Sequence, residues 1–219
     1  MGRDPQVNRE HRPDKQFWND IYVRSSVRAA AYDSWLDKYS GELEHTRTTP
    51  VLDLGCGAGN NTLYLSERGF PVIACDFSEE ALRCVRTIVP AVDTLLLDLR
   101  EPLPFPDESA QLAIADLSLH YFPWEQTKQI VSEIRRVLKP RGVLLCRVNS
   151  TKDVEYGAGQ GELLEPGYFL WEGQRKRFFD GATLEELFQD WQVSRMEEQV
   201  LHRYGKPKWV WELCAYTKK

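Results

Sequence analysis

The stretch "VLDLGCGAGNN", residues 51–61, decides the fold. It opens with the apolar run Val51–Leu54. It then places glycine at every second position, Gly55, Gly57 and Gly59, before a polar run that reads as the start of a helix closed by Gly69. A strand, a bare turn and a helix in that order make the nucleoside or phosphate cradle of an open α/β sheet, where ligands sit beyond the carboxyl ends of the strands. A triphosphate loop requires G-x-x-x-x-G-K-[ST]. No lysine or arginine lies between Asp53 and Arg68, so that reading is excluded. A dinucleotide fingerprint starting at Gly55 requires its third glycine at position 60, which is Asn60. Tyr204 and Lys208 have the Y-x-x-x-K spacing of a reductase, but Pro207 between them opposes a shared helix face.

Outward from the loop the chain alternates. "PVIACD" (71–76), "DTLLLD" (93–98), "AQLAIAD" (110–116) and "GVLLCRVN" (142–149) read as strands buried on both faces. Between them, Ser78 caps a helix with Glu79 and Glu80 in its first turn. Residues 124–138 form a helix with Ile130, Val131, Ile134, Val137 and Leu138 on one face. Strands separated by helices imply right-handed crossovers. The fold class expected is a Rossmann-like, doubly wound α/β fold: a mainly parallel seven-stranded sheet with an antiparallel C-terminal hairpin strand. The hairpin comes from "WQVSRMEEQV" and "KPKWVWELCAYTK", the latter with Trp209, Trp211, Leu213 and Ala215 on one side. Thr183 with Glu186 reads as a capping box.

Residues 1–15 read as a disordered tail and 16–219 as one domain. Within it, 16–40 is an aromatic-rich helical lid bearing Phe17, Trp18 and Tyr22. Residues 150–178, where glycine and aromatics interleave, form a second lid or insert.

The acids suggest which ligand the loop serves. Asp76 ends the second strand, where a carboxylate meets ribose hydroxyls. Asp98 ends the third, within reach of an exocyclic amine. Neither suits a phosphate, whereas a nucleoside joined to a cationic sulfur and an amino acid suits three acids and no base.

This pattern resembles the class I S-adenosylmethionine-dependent methyltransferases over residues 50–149. "VLDLGCGAGNNT", "ACDFS", "LLLDLR", "DLSLHYF" (116–122) and "LKPRGVLL" (138–145) match that family's motifs in order. The C-terminal half is similar to its small tellurite-resistance-type group through "GQRKRFFDGATLEELF" (173–188). The resemblance implies S-adenosylmethionine as cofactor and S-adenosylhomocysteine as product. It sets the methionine moiety over Gly55, Cys56, Gly57 and Gly59 with Asp53 near its amino group. It sets the ribose on Asp76 beside Phe77, and the adenine by Asp98 and Leu99. Leu117 offers backbone and Tyr22 closes the pocket. Cys56 is a small filler in the loop. The reaction implied is an in-line displacement in which alignment is the main task. His120, just past the fourth strand, is the candidate base; a carboxylate or soft-anion acceptor needs none. An Asn/Asp-Pro-Pro-Tyr/Phe run, the mark of methylation at bases and glutamine, is replaced here by "DLSL". A small-molecule acceptor is expected. A macromolecular acceptor, a non-catalytic donor-binding protein and, remotely, an NAD(P)-dependent oxidoreductase are the alternatives.

The rest of the composition narrows the partners. The net charge of −5 gives no overall basic footprint for nucleic acid. No apolar run approaches a membrane span, and "MGRDPQVNREHRPDKQ" has no signal-peptide core. Five scattered cysteines without a C-x-x-C pair read as reduced thiols of a cytoplasmic protein, monomeric or homodimeric. The four histidines show no ligand spacing, so no metal is expected.

Overall fold

The computed structural model describes residues 15–25, 32–202 and 205–218. The tail over 1–14, positions 26–31 of the N-terminal segment and Tyr204 lie outside the described residues.

Helix α1 (Lys15–Ser25) comes first, then a 3₁₀ turn (Trp35–Tyr39) running into α2 (Ser40–Glu44). The alternation follows: β1 (Val51–Leu54), α3 (Asn60–Glu67), β2 (Val72–Asp76), α4 (Glu79–Ile88), β3 (Asp93–Leu96), β4 (Ala110–Asp116), α5 (Trp124–Val137) and β5 (Leu138–Asn149). A small antiparallel sheet, β6 (Glu162–Glu165), β7 (Tyr168–Trp171) and β8 (Gln174–Arg177), precedes α6 (Gly181–Leu187). The closing pair is β9 (Trp191–Leu201) and β10 (Lys208–Thr217).

The main sheet has seven strands in the order β3-β2-β1-β4-β5-β10-β9. β1 to β5 are parallel, and β10 is antiparallel to both β5 and β9. The order reverses between β1 and β4, which is the switch point where such sheets bind ligands. Register aligns Leu54 with Cys75 and Asp116 with Arg147, so the acid-bearing strand ends share one rim.

The sheet is covered on both faces. One core gathers Leu54, Leu144, Leu213 and Ala215 under α5 and α6; the other gathers Val51, Leu112, Leu145 and Cys214 under α3 and the 3₁₀ turn at Trp35. That explains the near-continuous apolar runs of β1 and β4. It also modifies the alternation in β10. Trp211, Leu213 and Ala215 do face one core, but Cys214 and Tyr216 face the second instead of solvent.

Two local expectations are corrected. The cap of α6 is Asp180, whose Oδ1 accepts from Thr183 N (2.8 Å) and Thr183 Oγ1 (2.6 Å), because the helix starts at Gly181 and places Thr183 inside it. β5 starts at Leu138 rather than Gly142, with Arg141 left-handed (φ 62°). The segment 150–178, expected as a lid or insert, carries the three-stranded sheet. Arg177 anchors that sheet. It is buried, pairs with Glu165, and donates to the carbonyls of Pro166 (3.0 Å) and Phe122 (3.3 Å). Its guanidinium also stacks on Trp124 and Tyr168. Tyr168 Oη, on β7, donates to Tyr121 O (2.9 Å), drawing the small sheet against the turn that follows β4.

Candidate active site

The glycine loop is pinned at its start, where Gly55 N and Cys56 N both donate to Cys75 O (2.8 and 2.9 Å). Gly55 has φ +73°, and a Cβ there would stand 2.5 Å from Ser118 Cβ, so the turns after β1 and β4 touch across the switch point. Gly57 has φ +54°, and a Cβ there would stand 2.8 Å from Tyr22 Oη. Only glycine leaves this cradle open. Gly59 caps α3 and faces Val85 and Ile88 of α4, away from the cavity. The Cys56 thiol is pushed well up by burial and by Asp53 and Asp76, which makes it an inert filler.

A cavity of about 630 Å³ opens over this rim. Of the residues expected at the site, Gly55, Cys56, Gly57, Asp76, Phe77, Asp98, Leu99, Leu117, Tyr22 and His120 line it; Asp53 and Gly59 do not.

Asp76 is 5% exposed. Its Oδ2 accepts from Gly57 N and its Oδ1 from Ser78 N, each at 2.9 Å. Burial raises its pKa against these backbone bonds. A carboxylate has about four acceptor positions, so two remain for hydroxyls. Asp98, partly exposed, is forked by Arg100, whose Nε lies 2.9 and 3.1 Å from its two oxygens. Asp53 is buried below the loop and accepts from Thr62 Oγ1 (2.6 Å). Burial first, then the charges of Asp116 and Asp76, push it up to about 7. The strand's alternation turns it away from the cavity.

Sequence reasoning gave no role to Asp116, which does line the cavity. It is held by the fully buried Arg147, with Nε and Nη2 both 2.7 Å from its oxygens, and Asn61 Nδ2 donates to it at 3.3 Å. Arg147 also reaches Asp33 (2.8 Å) and lies 4.4 Å over Trp35. Leu117, next in the chain, has φ +57°, an unusual conformation for a branched residue and one costing about 1–2 kcal/mol. Strain of this kind collects at functional rims.

The reading of acids without bases is corrected by the other end of the cavity. Arg100, Lys176 and Lys208 all line it. They come from separate elements, so no local motif announces them. Lys208 Nζ pairs with the buried Asp153 (2.8 Å) and lies 4.6 Å from the Tyr156 ring centroid. His120 is 2% exposed, and its Nδ1 has no hydrogen-bond partner. Burial, then Lys208 and Lys176, hold its pKa well below the usual imidazole value, so it is neutral at physiological pH. Aromatic walls join the two ends: Trp18 stacks on Tyr22 (5.9 Å) and meets Tyr121 edge-on (5.2 Å).

An open cradle, a buried carboxylate with acceptor positions to spare and an apolar slot of Phe77, Leu97 and Leu99 fit S-adenosylmethionine. A family model described as a methyltransferase domain matches residues 51–142. YqeM of Bacillus subtilis, provisionally named a methyltransferase, is 31% identical over 73% of this chain and 74% of its own. The chain therefore belongs to the S-adenosylmethionine-dependent methyltransferases, with S-adenosylmethionine as the cofactor. A tRNA N(3)-cytidine methyltransferase of Gallus gallus is 27% identical over 77% of this chain, which spans about half of that relative's length (51%). A SAM-dependent methyltransferase of Methanosarcina mazei has the same fold, with TM-score 0.69 at 21% identity over 80% of this chain and 97% of that one. Among the described residues no helix is long and apolar enough to cross a membrane, and no group of three or more His, Cys, Asp or Glu residues is arranged to hold a metal.

Proposed function

We propose that the protein transfers a methyl group to a small-molecule acceptor. One observation carries this reading: a single cavity joins the glycine cradle and Asp76 to the end lined by His120, Tyr156, Lys176 and Lys208, roofed by α1 and β8. Bound S-adenosylmethionine supplies a methyl on a cationic sulfur that leaves neutral, so no acid is required. Gly55, Gly57 and Asp76 fix the donor, and the aromatic walls aim the acceptor. Alignment of this sort is worth effective molarities of about 10⁵–10⁸ M. His120, neutral and buried, orients the acceptor as a hydrogen-bonding group in preference to taking a proton. Asp116 with Asn61, rather than Asp53, faces the donor's amino group. α1 and β6–β8 act as covers of a single domain, and five unpaired cysteines support a reducing compartment such as the cytoplasm.

Two measurements test this. Calorimetry should show saturable binding of S-adenosylhomocysteine and none of NAD. Incubation with labelled donor and a fractionated metabolite extract should then give label that passes a small-pore filter. The similarity to a tRNA methyltransferase supports a second reading, transfer to tRNA. Label retained on tRNA in the same experiment would select it.

A further inference from the structure

Charge is unevenly matched at the far end of the cavity. Lys208 is neutralised by Asp153, which is buried and also accepts from Trp209 N (3.0 Å). Lys176, on β8, makes no hydrogen bond or ion pair among the described residues; its ring contact is with Trp171, 6.0 Å away. Arg100 is committed to Asp98, and Arg177 to Glu165. One cation thus remains uncompensated in a half-buried wall, beside Gln174 and an imidazole with an unpartnered buried nitrogen. Holding a lysine charge there costs free energy unless an anion joins it. The count is one, which matches a carboxylate and falls short of a phosphate dianion. The rings of Trp18, Tyr121 and Phe122, which line the same cavity as the glycines, suit an apolar body.

We propose, building on the methyltransferase reading above, that the acceptor is an organic acid with an aromatic or alkyl body, anchored through its carboxylate by Lys176 and Gln174. The carboxylate is the handle that sets orientation at the cradle.

The groups facing Lys176 are Lys208, Asp153 and Glu172, with His120 and Tyr156 across the cavity. Burial, then Lys208, lower Lys176 to about 8, while Asp153 and Glu172 act in the opposite sense. Its charge, and with it anion binding, is present below pH 8 and declines above it.

The test titrates protein saturated with S-adenosylhomocysteine with 4-phenylbutyrate, decanoate and phenylphosphonate, and with 4-phenylbutyramide and decanamide as uncharged partners. At pH 6.5 at least one acid should bind tenfold or more tightly than its amide. Lys176→Met should abolish that ratio and Lys176→Arg should keep it. In the unaltered protein the ratio should fall between pH 7 and 9.5, which holds the test open if the variants misfold. Equal binding of acid and amide, preference for the phosphonate, a ratio unmoved by pH, or no binding of any acid overturns the inference. Failure to bind S-adenosylhomocysteine in the first place overturns the methyltransferase reading instead.

Discussion

The two ends of the cavity are built by opposite means. The end assigned to the donor is made largely of backbone, with Gly55 and Gly57 bare, amides bonded to Cys75 O and Asp76, and the carboxylates of Asp76 and Asp116 at strand ends. The end assigned to the acceptor is made of side chains, His120, Tyr156, Gln174, Lys176 and Lys208, brought together from four stretches of chain. Backbone construction fixes one ligand and leaves little room for substitution. Side-chain construction can be rewritten without touching the fold, which suits a family in which the donor is constant and the acceptor differs.

The largest expected effect tests that intolerance. Gly55→Ala places a methyl 2.5 Å from Ser118 Cβ at φ +73°. Left-handed strain and overpacking together should cost about 2–5 kcal/mol in urea unfolding. Adding Ser118→Gly should recover the steric part and leave the backbone part. If Gly55→Ala costs no more than Gln174→Ala at the acceptor end, the contrast fails.

A carboxylate buried beneath the glycine loop is a second feature of this side of the molecule. The folded pKa of Asp53, about 7, lies above the ordinary carboxylate value of 3.8. The native state therefore holds a proton that the unfolded chain releases. By linkage, stability falls as pH rises from about 4 to 7 and levels off above, by on the order of 4 kcal/mol at most. Asp53→Asn, which can still accept from Thr62, should melt higher than the natural protein at pH 8 and match it near pH 4. A melting difference that does not change with pH removes Asp53 from this account.

Asp76 and Asp98 differ in how much of each carboxylate is left for a ligand. Asp76 retains acceptor positions, whereas Asp98 is already spanned by Arg100. Asp76→Ala should weaken S-adenosylhomocysteine by about ten- to a hundredfold, the value of roughly 1.5–3 kcal/mol of charge-assisted bonding. Asp98→Ala should cost less. Calorimetry giving equal losses would break the ranking.

The same contrast governs how much was legible in the sequence. The end assigned to the donor lies in one loop and at the ends of consecutive strands, so its glycines and strand-end acids fall at readable spacings, and the family resemblance named residues from Gly55 to Leu117 that line the cavity. Asp53 shows the limit of that method. The resemblance sets it near the donor's amino group, whereas in the structure it accepts from Thr62 and does not line the cavity. Lys176 and Lys208 were unreadable for the opposite reason. They sit in "QRKR" and "KPKW", which carry no motif, and only the docking of β6–β8 through Arg177 and Tyr168 brings β8 over the cavity. Spacing relates Lys208 to Tyr204, whereas its partner in space is Asp153. A buried arginine in "KRFF" next to an aromatic run was the available hint that this segment is an anchored sheet.

The smallest expected effect concerns the two covers and separates the ends in time. α1 is tied to the donor side: Ser78 Oγ donates to Asn19 Oδ1 (2.6 Å), Lys15 pairs with Glu79 (2.9 Å), and Tyr22 stands over Gly57. β8 is tied to the acceptor side by Lys176 and Gln174. A ligand protects the segment it touches by suppressing local opening. Hydrogen exchange should therefore show amides of residues 17–23 slowing a few-fold when S-adenosylhomocysteine is added, with those of 168–177 changing only when 4-phenylbutyrate is added as well. α5, packed in the core through Ile130, Val131 and Ile134, should not respond to either and serves as the internal control. If S-adenosylhomocysteine alone protects both segments equally, the covers move as one body and the two ends are coupled. If it protects neither, α1 is a fixed cap on the sheet and not a lid.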